Sequence, residues 1–303
     1  GALAKQAQAL RGRIKARIGL DLPAKRSVPQ TMRMGECQAK GYKATKFLLQ
    51  TEPDIALTAL LLRPDKARED LPIVLHVSQN GKPTLPEADD LALQLVRQGV
   101  TVLSLDVRGA GESDPRQGQR MESLTRYVPL QWRVDAAAIC LTYADTTPLA
   151  LRTLDVVRGI DYLRSLDATR PIVLVGEELG GLWAMMAGAM DPRVAGVVCV
   201  RALPSYKLIL RSQYYEVRDY FWTAGALVDF DICDLPALIA PRPMAVLAPL
   251  DAKLRALPVD QARTWFEWAE AAYDLHGAKP SFSVQERASA KEVLPFLRAI
   301  AGK

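Results

Sequence analysis

Histidine is nearly absent from this chain: 303 residues carry only His76 and His276. Any imidazole-based acid–base chemistry has just these two residues to draw on. Cysteine is scarce as well. Cys37, Cys140, Cys199 and Cys233 form no C-x-x-C pair, which argues against a zinc ribbon or a thioredoxin-like site and leaves one disulfide open. Isolated histidines without cysteine pairs offer no metal-ligand spacing, so neither metal nor cofactor is expected. No apolar run approaches the roughly 20 residues of a membrane span, so no membrane partner is expected. Internal repeats, low-complexity tracts and a signal peptide are not legible. The chain opens on Gly-Ala-Leu without methionine, as a trimmed polypeptide does, so a missing signal peptide says little about compartment.

The net charge is +5, but the basic residues are scattered. Their one cluster, Arg11, Arg13, Lys15 and Arg17, reads as a solvated helix face. A nucleic-acid arm pairs a denser basic run with aromatics, so no nucleic-acid partner is expected.

What the chain does contain is apolar residues, 49% of the total, enough for one large α/β domain. Residues 4–18 have helical spacing and high charge and are expected as a peripheral helix, and Pro23 and Pro29 bracket an extended linker. Tyr42 to Gln50 and Ile55 to Pro64 read as an antiparallel edge hairpin. Short apolar runs then alternate with amphipathic stretches. Strands are expected at Leu71–Ser78, Val100–Val107, Ile172–Val175, Val194–Val200, Met244–Ala248 and Ser281–Val284. Helices are expected near 87–98, 131–143, 149–166, 179–190, 260–275 and 288–300. This alternation predicts an α/β fold with a mostly parallel sheet of about eight strands, covered on both faces.

The segment Pro171-Ile-Val-Leu-Val-Gly-Glu-Glu-Leu-Gly-Gly-Leu182 is a buried strand, a glycine-framed turn and a helix start. It resembles the nucleophile elbow, G-x-S-x-G, of α/β-hydrolases, with Glu178 where the serine stands. Three further segments support the resemblance. Asp106-Val-Arg-Gly-Ala-Gly-Glu-Ser113 is similar to a D-x-R-G-x-G-x-S turn of bacterial members. Ala240-Pro-Arg-Pro243 resembles the approach to the seventh strand in acetylxylan esterases and related carbohydrate esterases. Arg152 to Leu163 resembles the helix before their elbow. Together these cover most of residues 40–300 in the right order. The chain is thus identified as similar to the acetylxylan-esterase-like branch of the α/β-hydrolases.

The resemblance implies roles for particular positions. Serine, histidine and a carboxylate form the working triad, with backbone N–H groups as oxyanion donors. Glu178 holds the nucleophile position. The histidine should follow the last strand, where this chain has Gln285 and Glu286. His276 precedes that strand at a helix end, and His76 lies within a strand as a hydrogen-bonded core residue. Asp251 falls at the acid position, although a lone loop aspartate also suits a turn. Gln79 and Asn80, in the loop Ser78–Gly81, and Leu179 fall at the oxyanion region. Arg108, in the glycine turn, is a candidate substrate contact. An aromatic-rich cap near 205–230, with Tyr206 and Tyr214, suits either stacking on sugars or packing as a lid.

Residues 1–30 are expected as an N-terminal helix and linker, and 31–303 as the hydrolase domain. Residues 1–30 also resemble a connector between modules in multidomain members, so other domains of a larger polypeptide are candidate partners. The family likeness implies a secreted or periplasmic setting and a carbohydrate or acylated carbohydrate ligand. Three functions stay open. The first is a degenerate serine esterase serving as a binding or accessory module. The second is an active hydrolase in which Glu178 is a catalytic carboxylate partnered by Asp251, Glu286 or Glu177. The third is an esterase with a displaced nucleophile such as Ser78 or Ser113.

Overall fold

A computed structural model describes residues 2–85, 90–114, 141, 144–217, 221 and 223–302. The expected helix at 131–143 lies outside the described residues except at Leu141, as do Trp132, Cys140, Tyr220, Trp222 and the start of the helix expected from Glu87.

The strands are β1 (Gln30–Ala39), β2 (Tyr42–Glu52), β3 (Ile55–Pro64), β4 (Ile73–Ser78), β5 (Val102–Leu105), β6 (Ile172–Glu177), β7 (Val194–Val200), β8 (Met244–Leu247) and β9 (Phe282–Gln285). They form one sheet in the order β1-β2-β3-β5-β4-β6-β7-β8-β9. The first three run antiparallel, β3 pairs antiparallel with β5, and the rest are parallel. The helices are α1 (Ala2–Ile18), α2 (Leu91–Arg97), α3 (Pro148–Leu166), α4 (Leu179–Met190), α5 (Tyr206–Leu210), α6 (Ala226–Asp229), α7 (Leu235–Ile239), α8 (Val259–Trp265), α9 (Glu267–Leu275) and α10 (Ala290–Ala301).

The central strands are apolar on both faces because helices cover both. One core joins the sheet to α1, α3, α4, α7 and α9, the other to α2 and α10. Capping follows composition. Asp90 accepts the Ala92 N–H at the start of α2, and Thr147 accepts that of Ala150 before Pro148 at the first position of α3, where proline loses no helical bond.

Three elements differ from the pattern-based expectation. The sheet has nine strands, because β1 occupies residues expected as linker and domain start. Its side chains are almost all exposed, so no apolar alternation marks it. As an edge strand it is blunted by a bulge at Met34, where the register shifts between Arg33 and Gly35. The helix expected at 260–275 divides at Phe266, whose fully buried ring anchors the junction. Helix α1 is no loose attachment: Ile14 and Ile18 are fully buried in the main core.

Candidate functional site

Strand β6 ends at Glu177, and the chain turns sharply into α4 through Glu178. That residue has φ 56° and ψ −117°, a backbone region that costs a non-glycine residue about 1–3 kcal/mol. The neighbouring glycines make the turn possible. A Cβ on Gly176 would lie 2.2 Å from the Gly180 oxygen, one on Gly180 2.2 Å from the Val77 oxygen, and one on Gly181 2.6 Å from the Ala202 Cβ. The turn is tied by the Glu178 N–H to the Val200 oxygen (2.8 Å) and the Gly181 N–H to the Glu178 oxygen (3.0 Å). The strained elbow is therefore intact, and it lifts a carboxylate rather than a hydroxyl above the carboxyl ends of the strands.

Glu178 faces a cavity of about 230 Å³, shared with Gln79, Leu179, Arg201, Leu203, Glu216, Val217, Phe221, Leu250 and Leu254. Its carboxylate lies 3.6 Å from the Arg201 guanidinium. Arg201 directly follows β7, itself holds a positive φ of 53°, and donates its N–H to the Leu247 oxygen. Glu216 enters from the cap segment, anchored by its N–H on the Ala252 oxygen (2.9 Å). Leu179 begins α4, so its N–H has no intrahelical acceptor and remains suited to an oxyanion.

Of the positions expected at the site, the structure brings Glu178, Gln79 and Leu179 together. The others stand elsewhere. Both Lys253 and Arg255 donate their N–H groups to the Asp251 Oδ1, at 2.8 and 2.9 Å; this carboxylate holds its own turn and does not line the cavity. Glu286 is exposed just past β9, also away from the cavity lining. Asn80 is exposed, its N–H on the Ser78 hydroxyl. The Arg108 guanidinium is committed to the buried Asp155 (2.5 Å) and to Glu52 (2.5 Å), which makes it an anchor of the glycine turn. Tyr206 is buried with its hydroxyl 3.2 Å from that of Thr223, a lid-packing role. Tyr214 is exposed and does not line the cavity.

Neither histidine lines the cavity. His276 is exposed after α9. His76 is fully buried in β4, 2.8 Å from the Ser104 hydroxyl through Nδ1 and 2.8 Å from the Glu177 carboxylate through Nε2. Ser78 is buried, and no histidine contact reaches it or Ser113 among the described residues.

Sequence reasoning missed Arg201 and Glu216. A signal existed for the arginine, since ligands in such sheets bind beyond the carboxyl ends of the strands and Arg201 is the first residue past one. Glu216 sits between aromatic residues with no periodic cue.

A sheet of this order, with a strained strand-to-helix elbow at its centre, defines an α/β-hydrolase. The chain belongs to the Abhydrolase family, whose sequence profile matches residues 14–257. It is 24% identical over 285 residues to YtaP of Bacillus subtilis (strain 168), a hydrolase by name, with 89% of each chain covered. The fold is similar to that of a glucuronoyl esterase from Solibacter usitatus (TM-score 0.65, 15% identity, 98% of this chain and 92% of that one). It is also similar to that of an acetyl xylan esterase from Paenibacillus sp. R4 (TM-score 0.58, 16% identity, 98% and 92%).

Proposed function

We propose that this domain is a carbohydrate-esterase-like α/β-hydrolase that has lost serine-type hydrolysis and uses its elbow cavity to bind a carbohydrate or acylated carbohydrate. The observation that carries this is the ion pair at the apex. Glu178 occupies the strained nucleophile position and faces Arg201 at 3.6 Å, while no histidine lines the cavity. Without a base beside it and a carboxylate orienting that base, the relay of a serine esterase has no members. The polar groups that remain, Gln79, Glu178, Arg201 and Glu216, are hydrogen-bonding partners for hydroxyls and ester oxygens. Apolar Leu203, Val217 and Phe221 offer contact area for a ring face.

One observation favours a second reading. Glu216 lines the same cavity as Glu178, and two carboxylates at one crevice are the minimum for glycoside hydrolysis. Glu178 would then be nucleophile or acid–base residue.

The deciding experiment measures turnover of an aryl acetate and a panel of aryl glycosides by the protein and by Glu178→Gln, with calorimetric binding of xylo-oligosaccharides, acetylated and plain. Binding without turnover in either protein is expected, with affinity reduced in the variant. Turnover that collapses in Glu178→Gln would overturn the binding-module reading in favour of a carboxylate enzyme.

A further inference from the structure

Beneath the elbow, on the sheet face covered by α2 and α10, three polar side chains form a line across adjacent strands. Ser104 on β5, His76 on β4 and Glu177 on β6 are neighbours by register: His76 pairs with Ser104 on one side and with Val175, two residues before Glu177, on the other. Both imidazole nitrogens are engaged at 2.8 Å. Ser104 and His76 are fully buried, while the Glu177 side chain is 22% exposed. Glu177 directly precedes Glu178, and its carbonyl accepts the Gln79 N–H (3.3 Å). The line thus reaches two backbone positions of the elbow cavity.

We propose that His76 is a positioning residue whose protonation latches Glu177, and through it the elbow and the Gln79 loop. In the protonated state Nδ1–H donates to the Ser104 oxygen and Nε2–H makes a charged hydrogen bond to Glu177. On deprotonation Nδ1 becomes an acceptor, the Ser104 hydroxyl turns to donate to it, and the bond to Glu177 loses its ionic half. Each imidazole nitrogen keeps its partner in both states, so the line can switch without unfolding.

Among the described residues, the charged groups that act on His76 are acidic. They are Glu177, then Asp90 at the N-cap of α2 and Asp106 past the end of β5, which is paired with Lys82. Burial by itself pushes the imidazole pKa down; the hydrogen bond and charge of Glu177, with the two aspartates, outweigh it and raise it. The latch is therefore closed below the ordinary imidazole value and opens as pH rises through the raised one.

The chain has only two histidines, which makes the test direct. In a His276→Gln background a single imidazole remains for NMR titration. Its midpoint is expected above about pH 6.5, with the Gln79 and Glu178 amide shifts following the same midpoint. Beyond the intrinsic pH dependence of exchange, the Gln79 amide should lose protection at least threefold. Glu177→Gln should lower the imidazole's proton affinity at least tenfold and abolish the elbow's response. The proposal is overturned if the elbow amides stay flat across the titration, if Glu177→Gln leaves the midpoint in place, or if His76 remains neutral throughout. These readouts are of backbone and imidazole, so the result is independent of whether the cavity binds sugar.

Discussion

Glu178 and Arg201 face each other at 3.6 Å across the elbow cavity, and each holds a positive φ although neither is glycine. The two are the first residues past adjacent parallel strands, β6 and β7. Their backbones are linked into the sheet by N–H bonds to Val200 and Leu247, which explains how unfavourable conformations persist at both.

The strain at Glu178 predicts that Glu178→Gly stabilises the protein. Relief of about 1–3 kcal/mol is set against loss of a partly exposed ion pair, worth at most about 1 kcal/mol, and the chain entropy of glycine, about 0.5–1 kcal/mol. A net gain of about 1 kcal/mol in chemical denaturation is expected. Gly176→Ala and Gly180→Ala should do the opposite and cost at least about 2 kcal/mol, because each new Cβ would meet a backbone oxygen at 2.2 Å. A stable Gly176→Ala protein would contradict the elbow geometry.

Asp161 is a buried hub for three arginines, with Arg26 at 2.9 Å, Arg158 at 2.6 Å and Arg193 at 2.7 Å. Asp161→Asn should cost about 3–5 kcal/mol, since it takes the carboxylate from the buried Arg158 guanidinium and leaves Arg26 and Arg193 to Asp191. Burial works to raise the Asp161 pKa, but Arg26 and Arg193 win and hold it below the usual carboxylate range. Its stabilisation is therefore complete above the unfolded value near 3.9 and disappears as pH falls through the lower folded one. Acid unfolding monitored by circular dichroism should begin earlier in Arg26→Ala. Identical acid profiles would mean that this arginine does not hold the carboxylate's charge.

Helix α1 is integral to the domain, so Ile14→Ala and Ile18→Ala, both at fully buried positions, should each cost about 2–5 kcal/mol. Thermal melts of the two variants check this. Changes below about 0.5 kcal/mol, the size of a surface effect, would show the helix to be a detachable arm.

Cysteine reactivity should be sharply uneven. Cys37 is exposed, while Cys199 and Cys233 are buried and free. Burial raises the Cys199 thiol, and burial with nearby Asp231 and Asp234 pushes Cys233 up to about 12. Alkylation of the native protein at neutral pH, mapped by peptide mass spectrometry, should label Cys37 and spare the other two until denaturant is added. Rapid labelling of Cys199 would place the α4–β7 contact outside the core.

Local pattern was enough for the parallel sheet, the elbow and most helices. Val-rich runs such as Val194–Val200 are buried on both faces and so announce themselves without alternation. The glycines at 176, 180 and 181 mark the elbow because only they permit its backbone contacts. Strand β1 was not legible, since an edge strand with both faces in solvent needs no apolar period. Nor was the split at Phe266, where the helical pattern runs through the break.

At the site, the Glu178 position was visible through the likeness of its segment to a known turn motif, because its place follows from that local turn. Its partners were not. Arg201 meets Glu178 through the pairing of β6 with β7, Glu216 through the path of the cap, and His76 meets Glu177 through the register of β4 with β6. Asp251 and Arg108 have plausible motif positions, but their hydrogen-bonding capacity is taken up by their own turn and by Asp155 with Glu52. Short-range spacing therefore sets which backbone shapes form. Which charges meet depends on long-range pairing and on the competition for each polar atom, and both arise only once the sheet has assembled.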